Sequence, residues 1–360
     1  MELQARNRWR SSLVATVLMS ISLTAMGGSA RAFIPMGTAD SVGVIDLESY
    51  QITSTISGTI NTHGSALTPY GRYLVAGSLT ARDSQEPISR PEGVTEDEHA
   101  AHHGGHGGGA PAATPGDANT GRIYVVDTAT NAIARTLEVP GPVHHVLVTP
   151  DGRYAVSTHP MGDGISVVDL ESGQLVETVA TGPAPNYVVA TDDGQSLLVS
   201  NTGNGTVSEV DTRHWFVKRN LRVGGSPEHM VLAPGNERLY VNDVDSGQVV
   251  ALELSKGAVA ARYDVGAESH GVGLSADGGI LYATSKGGDR VVRIDLVSGT
   301  RHSVSLAPAP YHLAVSPGDG RLLVTSRAEG RLWVLDPASL EIIDEITLNG
   351  TGHQISIKPH

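Results

Sequence analysis

The sequence predicts an all-β fold, a seven-bladed β-propeller with four-stranded blades, in which strands from both termini close the last blade. Three observations predict it: a phrase that recurs about every 42 residues, four short strand-like segments in each repeat, and incomplete repeats at the two ends that complement each other. Self-similarity at such a period is typical of solenoids and propellers. The 43 glycines and 19 prolines among 360 residues suit short strands joined by tight turns.

The recurring phrase consists of an anchor residue, a segment with alternating apolar positions and a Pro/Asp/Gly turn, as in HHVLVTPDGRYAV and YHLAVSPGDGRLLV. Successive anchors are 41 or 42 residues apart, except for a first step of 81, which equals one period plus an insertion. Seven anchors therefore predict seven blades. The anchor residues are His63, His144, Asn186, Glu228, His270, Tyr311 and His353.

Each repeat contains four candidate strands. In the repeat that begins at Tyr311, the segments HLAVSP, LLVTS, LWVLD and IIDEITL are separated by the turns PGDG, RAEG and PASL. Short alternating segments bounded by Gly, Asp and Pro are typical of strands, and four per repeat is typical of a propeller blade. No stretch has a sustained 3.6-residue apolar period, so we expect almost no helix.

The two ends of the propeller complement each other. The N-terminal stretch FIPMGTADSVGVIDLESYQITSTI supplies a second, third and fourth strand, and the C-terminal HQISIKP supplies only a first strand. Pairing them would complete the seventh blade and leave no exposed sheet edge, which would otherwise promote aggregation.

Residues 1–32 predict a Sec-type signal peptide. Three arginines precede residue 11, residues 13–25 are apolar, and Ala30-Arg31-Ala32 gives a small-x-small cleavage pattern before Phe33. We therefore expect a periplasmic or secreted protein whose propeller spans 33–360. The apolar stretch is shorter than the roughly 20 residues that a membrane span needs, so no stable membrane insertion is expected.

Composition restricts the partners. The formal net charge is −13, which disfavours binding to nucleic acid. The chain has no cysteine, which excludes disulfides, thiolate metal sites and covalently attached c-type haem. Any metal must be held by His, Asp, Glu, Tyr or Met. We expect a monomer that binds a metal ion or small ligand, with another periplasmic protein as a further candidate partner.

An insertion at 78–121 interrupts the first repeat, between its second and third strands. It contains EDEHAAHHGGHGGG and almost no large apolar residue, so it is predicted to be disordered. This loop belongs to the same propeller face as the anchors, and its imidazoles are candidates for an accessory metal-capture arm. They are His99, His102, His103 and His106.

Histidine is concentrated at the anchor and the residue that follows it. If the repeats close into a ring, these positions surround one mouth of the central channel. Neutral imidazole binds Cu(II), Zn, Ni or Fe. The candidate metal ligands are His63, His144, His145, His229, His270, His312 and His353 in the ring, with Glu228 beside them and His159 after the second strand of the next blade.

The stretches VTPDGRYAVS, ERLYVND, GRIYVVDTATN and GISVVDLESG resemble the repeat of the YVTN family of propellers, over essentially all of 33–360. The resemblance implies the propeller fold and leaves function open, because that family includes binding proteins and scaffolds. More distantly, the layout is similar to the d1-haem domain of periplasmic nitrite reductases and to the copper-bearing propeller of nitrous oxide reductase. That similarity implies a metal or tetrapyrrole at the mouth, without assigning residue roles.

Three hypotheses of function follow. The first is a transition-metal-binding propeller, with copper favoured over zinc, that acts in metal handling or as a redox accessory protein. The second is an enzyme that uses a histidine-held metal, or a protein that binds a d1-type haem; no catalytic residue can be named. The third is an interaction scaffold with structural histidines. Weak convergence of the imidazoles would favour the third hypothesis.

Overall fold

Every repeat folds into one antiparallel sheet of four strands, and seven such sheets form the propeller. The computed structural model describes residues 29–81 and 120–358. In these residues the elements other than strands are two single turns of 3-10 helix, at Gly37–Ala39 and Pro69–Gly71. The predicted all-β, seven-bladed architecture with four strands per blade is confirmed.

The strands follow one another from the channel outward in six blades. In chain order, the first three of these blades contain β4 Thr62–Leu67, β5 Tyr73–Ser78, β6 Thr120–Asp127 and β7 Ala132–Pro140; β8 Val146–Val148, β9 Tyr154–His159, β10 Gly164–Asp169 and β11 Leu175–Ala180; and β12 Pro185–Ala190, β13 Ser196–Asn201, β14 Thr206–Asp211 and β15 Phe216–Arg222.

The next three blades have the same arrangement. They contain β16 Pro227–Leu232, β17 Arg238–Asp243, β18 Gln248–Glu253 and β19 Ala258–Asp264; β20 Ser269–Leu274, β21 Ile280–Ser285, β22 Arg290–Asp295 and β23 Arg301–Ser305; and β24 Pro310–Val315, β25 Leu322–Ser326, β26 Arg331–Leu335 and β27 Ile342–Thr347.

The seventh blade joins the two ends of the chain. Its innermost strand is β28, Ser356–Lys358, and its other strands are β1 Arg31–Met36, β2 Ser41–Asp46 and β3 Gln51–Ser57. β28 pairs antiparallel with β1, with Arg31 opposite Lys358 and Phe33 opposite Ser356. The predicted closure by strands from both ends is confirmed. The candidate cleavage position after Ala32 lies inside β1.

Burial follows the position of a strand within its blade. The middle strands are mostly buried, and β13 is buried along its whole length. In outer strands such as β3 and β7, exposed residues alternate with partly or fully buried ones. The core lies between neighbouring blades; Tyr282 of one blade, for example, packs in the same cluster as Trp333 of the next. Each blade therefore depends on both neighbours for its apolar contacts.

The third strand of six blades leads into a turn centred on an aspartate. At Asp169, Oδ1 accepts hydrogen bonds from the backbone N–H groups of Glu171 and Ser172, at 3.0 and 2.9 Å. Such side-chain bonds to the next backbone N–H groups start a tight turn. The same bonds recur at Asp46, Asp127, Asp211, Asp295 and Asp336.

The predicted insertion lies between β5, which ends at Ser78, and β6, which begins at Thr120. Its candidate capture residues His99, His102, His103 and His106 lie outside the described residues, as does most of the predicted signal peptide. Within residues 29–81 and 120–358, no helix has the length and apolar character needed to cross a bilayer.

Candidate metal centre

The anchor residues lie where each innermost strand begins, and in five blades they form a β-bulge. In β16, for example, Pro227 pairs with Asp243 and Met230 with Val241, so Glu228 and His229 stand opposite a single residue. The same shift occurs in β4, β12, β20 and β24. A bulge bends the strand and re-aims its side chains. Here it accompanies the convergence of one or two side chains per blade, since the second bulge residue is glycine in β4 and β20.

Seven histidines lie at an anchor or directly after one, and they form one contiguous group. We call this group the histidine cluster: His63, His144, His145, His229, His270, His312 and His353. The ring centroid of His63 lies 4.4 Å from that of His144 and 4.2 Å from that of His353. The ring of His229 lies 4.8 Å from His145, 4.2 Å from His270 and 4.6 Å from His312. Residues from six of the seven blades thus meet at one place.

The histidine cluster is buried. His145 has no exposed surface, and even the most accessible member, His270, is only 8% exposed. Burial disfavours the charged imidazolium and lowers the pKa of His63, His145 and His312 well below 6.5, an effect that charge on neighbouring histidines reinforces. These rings are therefore neutral at pH 7, which is the form that binds metals.

The pKa of His353 is also lowered, for a partly different reason. Burial first, and then the positive charge of Arg327, lower the pKa of His353 to about 3. The Arg327 guanidinium lies 5.6 Å from the centroid of the Tyr311 ring. Tyr311 in turn stacks on His270, with centroids 3.9 Å apart, and burial raises the pKa of its phenol. An aromatic and a cationic side chain thus border the cluster on the side of His270.

Four overlapping groups of three donors could each hold a metal ion, because the ligand atoms of each group lie within 4.8 Å of one another. These groups include all seven histidines of the cluster and Glu228. Eight of the nine candidate ligands named from the sequence therefore lie together, and the ninth is His159. The groups are His63–His144–His145, His63–His312–His353, His145–His229–His312 and Glu228–His229–His270.

Several ring nitrogens in this cluster are buried with no hydrogen-bond partner among the described residues. They are both nitrogens of His63, Nε2 of His312 and Nδ1 of His353, the three residues of one donor group. A buried polar atom left without a partner costs about 1–3 kcal/mol. A metal ion bound to these lone pairs would remove that cost, so the donor set fits a cation.

Gln354 orients His145. The Gln354 Oε1 atom accepts the Ser65 backbone N–H at 3.0 Å and contacts His145 Nδ1 at 3.1 Å, so Nδ1 of His145 is the protonated nitrogen. Gln354 Nε2 donates to the Tyr187 hydroxyl at 3.1 Å. This leaves the lone pair on His145 Nε2. Such an outer partner fixes the tautomer and direction of a metal-binding imidazole.

Two further imidazoles are oriented in the same way. Nδ1 of His270 lies 3.1 Å from Oε2 of Glu228, and Nδ1 of His144 lies 3.4 Å from the carbonyl oxygen of Asn186. When Nδ1 donates to an oxygen, the lone pair is on Nε2. Glu228 therefore orients the His270 ring, and it is also a possible ligand in the donor group Glu228–His229–His270.

His145 and His229 face each other through their Nε2 atoms, 3.2 Å apart. Metal–imidazole bonds of about 2.0–2.1 Å place two neighbouring ligand nitrogens about 2.9–3.4 Å apart in square-planar or tetrahedral geometry. The observed separation lies in that range, so the two rings stand as two ligands of one ion would.

His159 stands apart from the cluster. At the end of β9, its Nδ1 donates to the Pro142 carbonyl oxygen at 2.9 Å and its Nε2 lies 3.0 Å from Ser157 Oγ. Both ring nitrogens are thus used in hydrogen bonds, and burial lowers the pKa of His159 to about 4. His159 is buried at the end of its strand and belongs to none of the donor groups.

Sequence reasoning did not single out Gln354. It occupies the position after the anchor in the last repeat, where other blades carry His145, Tyr187, His229 and His312. The repeat alignment contains that signal, but an amide side chain is not itself an expected ligand of a transition metal, so the pattern does not point to it. The partner of Gln354 is Tyr187, and burial raises the pKa of the Tyr187 phenol to about 12.

Fold and site together define a class of protein, a seven-bladed propeller with a buried cluster of imidazoles at the start of its innermost strands. The family model of the YNCE-like beta-propeller matches residues 117–360, and the chain belongs to that family. The propeller-repeat resemblance read from the sequence is thereby confirmed. A search among curated protein sequences finds no match.

Solved structures of similar fold have diverse functions. The periplasmic gluconolactonase PpgL of Pseudomonas aeruginosa has a TM-score of 0.66 at 17% identity, covering 91% of this chain and 98% of its own. Hydrazine synthase of Kuenenia stuttgartiensis scores 0.62 at 18% identity, covering 88% and 92%. The dihydro-heme d1 dehydrogenase NirN, in complex with DHE, scores 0.61 at 13% identity, covering 88% and 63%. At these identities the similarity shows the fold alone.

Proposed function

We propose that this protein is exported and binds a transition metal ion, copper in preference to zinc, through the histidine cluster, in metal handling or as a redox accessory protein. The observation that carries the proposal is the group His63–His312–His353. Each of its residues has at least one buried ring nitrogen without a hydrogen-bond partner among the described residues, and the group offers one ligand atom per residue within 4.8 Å of the others. The scaffold hypothesis is favoured by weak convergence of the imidazoles, whereas here all seven belong to donor groups.

The donor chemistry favours copper. The described donor groups are imidazoles with one carboxylate, and the chain has no cysteine. Imidazole sites without thiolate suit Cu(II) and Zn²⁺, and Cu(II) binds more tightly to a given set of nitrogen donors. Calcium and magnesium prefer oxygen donors. The tautomers set by Gln354 and Glu228 support imidazole coordination through Nε2 of His145 and His270.

A d1-type haem fits the cluster less well than a bare ion. The imidazoles pack against each other with ring centroids as close as 4.2 Å, and a cavity that borders His229 and His312 measures about 50 Å³. Organic ligands occupy pockets of about 300–1,000 Å³. A tetrapyrrole would have to displace several imidazoles, whereas an ion fits between them.

The decisive experiment is metal analysis by mass spectrometry of the exported chain, produced without an affinity tag. Three variants accompany it: a deletion of residues 95–110, the double variant H63N/H312N, and H302A as a matched control, because His302 lies exposed on β23. We expect stoichiometric copper in the wild type, the deletion variant and H302A, and little in H63N/H312N. Metal that disappears with residues 95–110, or no metal at all, would overturn the proposal.

A further inference from the structure

One of the four donor groups borders an internal cavity. In the group His145–His229–His312, the residues His229 and His312 line a cavity of about 50 Å³ near the start of the innermost strands. A cavity of about 10–15 Å³ is already large enough for one water molecule. The space beside these two imidazoles therefore has room for a small molecule of about three heavy atoms.

The cavity is lined to a large part by polar side chains. They are Tyr187, His229, His312 and Gln354, and the described lining contains no Asp, Glu, Lys or Arg. A buried water molecule is held where several polar groups can bond it, whereas a purely apolar molecule would leave such groups unsatisfied. The cavity therefore suits a small polar ligand.

Two of these side chains have hydrogens left to donate. Gln354 Nε2 donates one hydrogen to the Tyr187 hydroxyl at 3.1 Å, and an amide nitrogen carries a second one. No described residue accepts that second hydrogen or the hydrogen of the Tyr187 hydroxyl itself. The Gln354 oxygen is already engaged with Ser65 and His145. What Tyr187 and Gln354 still offer is donors, which match a ligand that accepts hydrogen bonds.

The cavity adjoins the central channel of the propeller. A larger cavity of about 620 Å³ runs along the channel, and all seven innermost strands line it. It is open to solvent, and both polar and apolar residues line it. The two cavities share the lining residues Tyr187, Met230, Val272, Leu313 and Gln354. A small solute can therefore reach the histidine cluster from the channel while the imidazoles themselves stay buried.

Three imidazoles leave one position of a four-coordinate ion to another ligand. Metal sites with three protein ligands use that position for water or substrate. Beside His229 and His312 the structure has a cavity, which leaves room for such a ligand. The group His145–His229–His312 contains no carboxylate, so it does not neutralise the charge of a divalent ion. An anion bound at the fourth position would offset that charge.

We propose that an ion held by His145, His229 and His312 keeps one exchangeable coordination position in this cavity, which takes water or a small anion bonded by the Tyr187 hydroxyl. The inference rests on the proposed function and names the class of ligand that the metal binds. That class is a small lone-pair donor that also accepts hydrogen bonds, such as hydroxide, azide or formate. His312 also belongs to the group His63–His312–His353, so H63N/H312N removes a ligand from both groups.

The first test uses the metal-free protein. A crystal structure at high resolution, or NOEs between water and the Met230 methyl group, reports whether water occupies the cavity that Met230 lines. We expect an ordered water within hydrogen-bond distance of the Tyr187 hydroxyl. An empty cavity in the wild type would overturn the proposal, and this result does not depend on metal binding.

The second test titrates azide into the Cu(II)-loaded protein and follows the azide-to-copper charge-transfer absorption. We expect the wild type to bind azide, and Y187F to bind it about tenfold more weakly per bound copper, because one hydrogen bond to the anion is lost. Y70F is the matched control, because Tyr70 is 98% exposed and lines neither cavity. It should match the wild type.

Carbon monoxide separates loss of the hydrogen bond from a change in the shape of the site. Bound CO is a weak hydrogen-bond acceptor, so Y187F loaded with Cu(I) should bind CO as tightly as the wild type. Equal weakening of azide and CO would overturn the hydrogen bond from Tyr187. Copper that binds no azide, or equal azide affinity in Y187F and the wild type, would overturn the inference alone. A protein that takes up no metal would overturn the proposed function and this inference together.

Discussion

The histidines of this protein differ in what their ring nitrogens contact. The nitrogens of His159 are both satisfied by nearby oxygens, whereas those of His63 have no hydrogen-bond partner among the described residues. His63 is an anchor residue, and His159 ends the second strand of the next repeat. The distinction between a structural and a metal-binding histidine therefore depends on contacts within 3–4 Å, which the repeat pattern does not encode.

Gln354 is predicted to tune metal affinity without binding the metal. Replacing it with alanine removes the acceptor that fixes the Nδ1 proton of His145. Outer partners of this kind contribute about 10- to 100-fold to metal affinity. We expect Q354A to weaken copper binding by that amount in a chelator-competition titration. Q51A, at an exposed glutamine on β3, is the control, and equal affinities in Q354A and Q51A would refute the role.

His159 is predicted to make the protein acid-sensitive. Its pKa falls from 6.5 to about 4 on folding, so the unfolded chain binds more protons between these pH values. Stability is therefore unaffected by this group above pH 6.5 and falls as the pH drops toward 4, by about 2 kcal/mol at pH 5. Urea unfolding at pH 7 and pH 5 checks this: the pH-dependent loss in H159N should be smaller by that amount. An identical loss in wild type and variant would contradict it.

At the scale of strands and turns, the sequence predicted most of what the structure contains. Alternation in segments such as GISVVD and LLVTS is sufficient to place strands, and Asp169 and its equivalents mark the turns that follow. The bulge at Glu228–His229 could not be foreseen, because an extra residue in one strand changes the pairing without changing the composition. That bulge belongs to the site, so the site was harder to predict than the fold.

The first strand leads to a prediction about the candidate cleavage position after Ala32. A chain that starts at Phe33 lacks the pairs of Arg31 and Ala32 with β28, and also the bond from Arg31 to the Thr128 carbonyl oxygen at 3.1 Å. Since Ala32 is fully buried, we expect a loss of about 2 kcal/mol relative to a chain that starts at Ser29. Thermal unfolding of the two chains measures it. Equal melting temperatures would mean that these pairs contribute nothing to closure.

For the whole molecule, the arrangement of ligands matters more than their number. His63, His144, His229, His270, His312 and His353 come from six different blades, and the seventh blade contributes Tyr187, which bonds Gln354. The ring of blades is held closed by noncovalent contacts, namely the pairing of the short strand β28 with β1 and the packing between neighbouring blades. An ion held by His63, His312 and His353 would connect three blades at the start of their innermost strands.

Metal binding is therefore predicted to stabilise the propeller as one unit. A ligand that binds only the folded state adds about 2.7 kcal/mol at a free concentration 100-fold above its dissociation constant. We expect differential scanning calorimetry with added Cu(II) to show a single transition at higher temperature than in the metal-free chain. H302A should show the same shift, and H63N/H312N should show little. A shift confined to part of the transition would mean that the ion holds neighbouring blades only, and no shift would mean that it does not bind at the hub.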